Sequence, residues 1–321
     1  MNWNETRRRL VRLATGRADT EDGDLATTVR EPRGMLRRGS ASRAQERARE
    51  AAPRAASLCI ASGKGGTGKS VVTASLASSF STRGKTLIVD ADLGVGNAHI
   101  LQDVSPTSSF VEVVEGKAAV KDVLLPCGGQ IDLLAAGSGV PRMADLSKYE
   151  THLIASGLEE LELDYRHLVV DSAAGISSQT LGFAKCCDQV LVVTTPDLTA
   201  MTDAYAFVKV LSNRRPGARP LLVVNRAFDE EHAQEVSQRI QRVCRRFLGE
   251  APELIGWLPE DRAVPSCVNR RGAVVALEPQ SPFAVALEGI AVRVLEHLSS
   301  VHPRGLGRTL LEDTGYPSHF G

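Results

Sequence analysis

The sequence predicts an α/β fold in which one domain carries a mostly parallel central sheet covered by helices on both faces. Three observations predict it. Short apolar runs of strand length recur at 57–62, 86–90, 131–135, 167–171, 189–195, 221–225 and 254–259, with helical periods between many of them. These runs are nearly continuous in apolar character, as strands buried on both faces are. Glycine-rich or polar residues follow several of them, where the ligand-binding loops of open α/β sheets gather.

The chain has 321 residues and 43% apolar content, enough for a sizeable core. Its 38 basic and 38 acidic residues balance overall but not along the chain. Residues 1–56 hold thirteen arginines, no lysine and eight acids, a surplus of +5 that leaves −5 for the remainder. Few large apolar side chains occur there, so the segment cannot offset its own ordering entropy and is predicted to be a disordered extension with transient helix. Within it, Asp24-Leu-Ala-Thr-Thr-Val-Arg30 stands out. The body, 57–300, reads as one domain, and 301–321, with its Gly and Pro, as a flexible tail.

Composition also excludes functions. A near-neutral body gives no footprint for nucleic acid, and scarce aromatics argue against a base-stacking platform. The six cysteines form no C-x-x-C pair and no metal-ligand spacing with His, so they read as reduced, packed thiols of a cytosolic protein. No run approaches the roughly eighteen apolar residues of a spanning helix. Nor does an apolar segment follow the N-terminal arginines as in a secretory signal.

The first strand leads into Gly63-Lys-Gly-Gly-Thr-Gly-Lys-Ser70, which fits G-x-x-x-x-G-K-[ST] and makes the domain a P-loop NTPase type. Gly63, Gly65, Gly66, Thr67 and Gly68 form a turn whose backbone N–H groups can converge on phosphate oxygens. Lys69 is placed to reach the β- and γ-phosphates. Ser70 is placed to offer its hydroxyl to Mg²⁺ and opens a helix that points its positive end at the anion. Lys64 is a second ammonium in the same turn, repelled by the first unless a large anionic charge compensates both.

The second strand ends in Asp90-Ala-Asp92, two carboxylates on one side of a strand beside a phosphate loop, suited to handling Mg²⁺ and water. Residues 108–125 read as two short helices and 148–162 as a longer one. His167-Leu-Val-Val-Asp171 is an apolar strand ending in a carboxylate able to hold Mg²⁺ through water. Ser172 to Gly175 follow as a small-residue loop able to rearrange when a γ-phosphate leaves. Helices are predicted at 199–214, 230–247 and 283–298. Together the three site segments make a nucleoside triphosphatase: Lys69 on phosphates, Ser70, Asp90 and Asp171 on the metal, and Asp92 free to orient the attacking water.

These segments, with Lys64 in the loop, resemble the MinD/ParA class of dimerising ATPases. The resemblance implies ATP as the nucleotide, a site completed by Lys64 from a second ATP-bound copy, and Asp92 as the residue serving hydrolysis. It also implies base contacts from Asn225 and Arg226 after one strand and from Pro259 to Asp261 after another. Asp90-Ala-Asp-Leu-Gly-Val-Gly-Asn97, Ala136-Gly-Ser-Gly139, Asp171-Ser-Ala-Ala-Gly-Ile-Ser177 and the segment Thr202 to Leu211 look most like the FlhG group, also called FleN or YlxH. That group controls flagellar number and placement, and the resemblance spans roughly 57–298. Its N-terminal activator motif D-Q-A-x-x-L-R stimulates an SRP-type GTPase, FlhF. Asp24, Ala26 and Arg30 match that motif, while Leu25 and Val29 replace its glutamine and leucine. The class also binds the inner membrane peripherally through a C-terminal amphipathic helix; here Leu306 to Leu311 is short, and Glu312 and Asp313 would repel anionic lipid.

A partition ATPase of ParA type, holding DNA non-specifically through basic residues, is the leading alternative. An iron–sulfur carrier on the same loop would need paired cluster cysteines, which the spacings do not supply. A nucleotide-gated scaffold without turnover is the third reading.

Overall fold

Strand β1 (Ala56–Ser62) runs through the middle of the molecule with six of its seven residues buried. Its side chains alternate between two cores: Cys59 and Ala61 enter one, Leu58 and Ile60 the other. That two-sided burial is why the sequence shows an apolar run there. The computed structural model describes residues 53–316 apart from 138, 141, 142 and 144, all within the unit Ala51–Gly321. The disordered extension expected over 1–56 therefore lies almost wholly outside the described residues, and the 24–30 motif entirely so.

Seven further strands flank β1: β2 (Thr86–Ala91), β3 (Leu124–Pro126), β4 (Ile131–Leu134), β5 (His167–Ala174), β6 (Gln189–Thr194), β7 (Leu221–Ala227) and β8 (Glu253–Pro259). They form one sheet in the order β3-β4-β2-β5-β1-β6-β7-β8, parallel throughout except where β3 pairs antiparallel with β4. β1 lies between β5 and β6, so every connection that leaves it crosses over through a helix.

Helix α1 (Lys69–Ser81) packs Val72, Leu76 and Phe80 onto one face of the sheet beside Phe283, Leu287 and Ile290 of α9 (Pro282–Ser300). The other face is covered by α3 (Lys148–Leu161), α4 (Ser178–Cys186), α5 (Leu198–Arg214) and α6 (Glu230–Leu248). Local sequence explains several helix starts. Ser147 and Glu150 form a reciprocal capping box on α3, and Asp229 caps α6.

Over 108–125 the structure differs from two helices. Only α2 (Phe110–Val114), started by the Ser109/Glu112 capping box, and a 3-10 turn (Val120–Val123) form before the chain enters β3. The short helices α7 (Ala263–Asn269) and α8 (Val274–Leu277) were not foreshadowed. The tail differs as well. Where a flexible 301–321 was expected, α10 (Leu306–Thr314) lies against α3 and α4 with Leu306 and Leu310 buried. Buried carboxylates hold its entry: Glu162 accepts from Gly307 N and from Arg54 Nη1 (3.0 Å), and Asp188 accepts from Arg304 N (2.8 Å). Among the described residues no helix is long and apolar enough to cross a membrane.

Candidate functional site

The turn from β1 into α1 lies at the C-terminal edge of the sheet. Gly66 and Gly68 hold φ of +80° and +91°, a region that side chains disfavour. A Cβ on Gly68 would stand 2.3 Å from Asn225 Nδ2, and one on Gly63 2.1 Å from the Asp203 backbone. Glycine is thus required by packing at two positions. Asn225, at the end of β7, ties the turn down by donating to Thr67 O (2.7 Å) while its Oδ1 accepts from Arg226 N (2.9 Å). Thr67 Oγ1 is buried and unpaired, and no side chain caps the start of α1. An orphaned hydroxyl and uncapped N–H groups in a glycine cradle suit phosphate oxygens.

Behind the turn stand the carboxylates. Asp90 and Asp171 are register partners on β2 and β5. Lys69 Nζ contacts Asp171 Oδ1 at 2.9 Å, both side chains nearly buried. Thr73, one turn further along α1, shares its hydroxyl between Asp171 Oδ1 (3.1 Å) and Lys69 O (3.0 Å). Asp90 is only 1% exposed, and burial with the neighbouring Asp171 charge raises its pKa well above the usual carboxylate range. Its Oδ1 accepts from Asp92 N (3.2 Å) and its Oδ2 from Ala98 N (3.1 Å), which folds the 92–98 loop over it. Gly96 allows that closure, since a Cβ there would sit 2.4 Å from Asp90 Oδ2.

Asp92 begins that loop, partly buried, and Ser70 is in the first turn of α1. Among the described residues no group of three His, Cys, Asp or Glu could cage a metal. A hydroxyl and one or two carboxylates fit Mg²⁺ instead, an ion that keeps several waters and takes the rest of its oxygens from a nucleotide.

Lys64 is exposed, its Nζ donating to Thr199 Oγ1 (2.8 Å) at the start of α5. The small-residue loop after Asp171 is pinned by Ser172 Oγ to Ile60 O (2.9 Å) and by Gly175 N to Ser62 O (2.9 Å). Three apolar side chains stand out in solvent on loops or helix starts after β2, β5 and β6: Val95 (62%), Ile176 (50%) and Leu198 (75%). The sequence reading did not single them out, because a lone apolar residue in a loop carries no periodic signal.

A cleft of about 430 Å³ opens beside Gly68 and is lined by Asn225, Arg226, Pro259, Asp261 and Phe283. Every residue expected near a base, Asn225, Arg226 and Pro259 to Asp261, therefore shares one cavity with the turn. Arg226 holds a left-handed φ of +57°, a conformation few non-glycine residues adopt. Asp261 spends both oxygens on backbone, Oδ1 on Ala263 N (2.8 Å) and Oδ2 on Phe283 N (3.0 Å), so it shapes the cleft wall by joining α7 to α9. Val264, Pro265 and Asn269 of α7 also line it, residues that only the fold reveals.

Residues 58–274 match the model of the CobQ/CobB/MinD/ParA nucleotide binding domain. The chain is 30% identical over 249 residues to the antiactivator FleN of Pseudomonas aeruginosa, a match covering 77% of this chain and 89% of that protein. To the flagellum site-determining protein YlxH of Helicobacter pylori it is 27% identical over 256 residues, covering 76% and 83%. Among solved structures, the septum site-determining protein MinD of Pyrococcus horikoshii, complexed with Mg-ADP, shares the fold with a TM-score of 0.65 and 22% identity. That likeness covers 78% of this chain and 99% of the other.

Proposed function

The chain belongs to the CobQ/CobB/MinD/ParA nucleotide-binding family, and from that membership we propose that it is an ATP-dependent dimerising switch that hydrolyses ATP to ADP and phosphate and regulates flagellar number or placement. The observation that carries the ATPase reading is the contact of Lys69 with Asp171 in register with Asp90, at the foot of a glycine turn with an unpaired buried hydroxyl. The flagellar reading is supported by the similarity to FleN and YlxH.

In this reading the N–H groups of 63–70 and Lys69 hold the triphosphate, while Asn225, Arg226, Pro259 and Asp261 border the base. Ser70, Asp90 and Asp171 would hold Mg²⁺, which would supply charge neutralisation to the triphosphate. Asp90 also sets the 92–98 loop through its two backbone bonds, and Asp92 at the loop's start orients the attacking water. Phosphoryl transfer needs positioning and charge stabilisation rather than covalent chemistry. Lys64 supplies the last positive charge to the nucleotide of a second copy. Its exposure, and the solvent-facing Val95, Ile176 and Leu198 around the same edge, support a face that becomes covered when two copies meet. A partnership with an FlhF-like SRP-type GTPase through 24–30 belongs to the same proposal.

Turnover per molecule should rise with protein concentration as pairs form. Lys64→Ala should abolish pairing with ATP and lower turnover by a factor on the order of 10³, the scale at which a cation supplied in trans acts. A Lys64→Ala chain that hydrolyses ATP at the parental rate contradicts the trans role.

A further inference from the structure

Thr73 is 1% exposed on the side of α1 that faces β5. Valine has the same shape and would bury there with no polar atom to satisfy. The hydroxyl is satisfied twice over. It reaches Lys69 O (3.0 Å), as back-bonding threonines in helices do, and also Asp171 Oδ1 (3.1 Å). Back-bonding alone accounts for the first contact and not for the second. Both oxygens are acceptors and a hydroxyl carries one proton, so Thr73 serves one of them at a time. Lys69 decides which. Its Nζ stands 2.9 Å from the same Asp171 oxygen, and among the described residues no other side chain or backbone group donates to that carboxylate. While the ammonium serves Asp171, the hydroxyl proton is left to Lys69 O.

We propose that Thr73 is a positioning residue: when Lys69 leaves for the phosphates, the Thr73 hydroxyl turns from Lys69 O to Asp171 Oδ1 and keeps that carboxylate in place to hold Mg²⁺. The inference rests on the reading of Lys69 and Asp171 given above and adds what fixes Asp171 once its first partner has gone. Asp171 is 2% exposed, so without Thr73 the departure of Lys69 leaves its Oδ1 a buried oxygen with no protein donor, a costly state for a charged group. Rotation about the Cβ–Oγ1 bond supplies the donor without moving the backbone. Lys69 O gives up little in the exchange, because the helix N–H four residues on still bonds it. The hydroxyl is thus idle in the nucleotide-free chain and needed in the loaded one.

The test compares the full chain with T73V, which keeps the shape and removes the hydroxyl, and with T73S, which keeps the hydroxyl; T73A serves as a second variant without it. Thermal melting is followed without nucleotide and with ADP across a Mg²⁺ titration, and binding of a fluorescent ADP analogue is measured in EDTA. Without nucleotide T73V should melt with the parent, and in EDTA it should bind the analogue as the parent does. With ADP, the Mg²⁺ concentration that gives half of the stabilisation should rise on the order of tenfold in T73V and T73A, the scale of one lost hydrogen bond to a charged group. It should return to the parental value in T73S. A parental Mg²⁺ requirement in T73V and T73A overturns the proposal, whether or not those chains melt earlier without nucleotide. A shift of the same size in T73S would give the effect to the methyl group and overturn it equally. A parent chain that ADP and Mg²⁺ together fail to stabilise would instead refute the nucleotide-site reading, and the proposal with it, before any variant is measured.

Discussion

Asp90 shows how much one carboxylate organises. It stands in register with Asp171 and holds the 92–98 loop through backbone bonds from Asp92 and Ala98. Burial and the Asp171 charge favour its protonated form, so its folded pKa lies above the unfolded value of 3.8. The sign follows from proton uptake: an acid whose pKa rises on folding destabilises the fold progressively as pH climbs above the unfolded value. Asp90→Asn mimics the protonated form. It should therefore flatten the fall in thermal midpoint between pH 5 and about 8 in nucleotide-free protein, and an unchanged pH slope would show that Asp90 is ionised throughout. The loop motif and the two Asp-ended strands were legible from sequence because their chemistry is local. The roles of Asn225 and Asp261 as braces were not, since each acts on backbone far along the chain: Asn225 on Thr67, and Asp261 on Phe283.

Elements differ in the same way. Strands buried on both faces announce themselves as apolar runs, and all seven expected ones form; β3 escaped because three residues ending in Pro126 gain their pairing only from β4. Helix α10 escaped because Pro303, Gly305, Gly307 and Gly315 mark its surroundings as loop, while what orders it comes from distant residues. Glu162 joins Arg54 to Gly307, Asp188 joins Ser57 to Arg304, and Arg304 also caps the carbonyls of Lys185, Cys186 and Cys187. Burial pushes the Glu162 carboxyl up to about 7 despite Arg54, a sign of how fully it is withdrawn from water. If α10 is part of the body, Leu310→Ala should cost about 2–4 kcal/mol in urea unfolding, as truncating a buried leucine does. A loss under about 0.5 kcal/mol, the scale of a surface substitution, would mean that the helix detaches in solution.

At the scale of the whole molecule, the two edges of the sheet differ in what they carry. The C-terminal edge gathers the glycine turn, the carboxylates, Lys64 and the solvent-facing Val95, Ile176 and Leu198; the opposite edge carries the arginine-rich end of α6. Bulky apolar side chains and the exposed Lys64 ammonium, held among the described residues by Thr199 alone, surround a phosphate cradle, and the proposed function has them meet another surface there. In the proposed function that surface is a second copy, joined when both hold ATP. Size-exclusion chromatography with light scattering on Asp92→Ala tests it most directly, because that variant should bind ATP without discharging it. With ATP and Mg²⁺ it should elute at twice the mass seen with ADP; a single-chain mass with either nucleotide, at concentrations where ATP is demonstrably bound, would contradict the account.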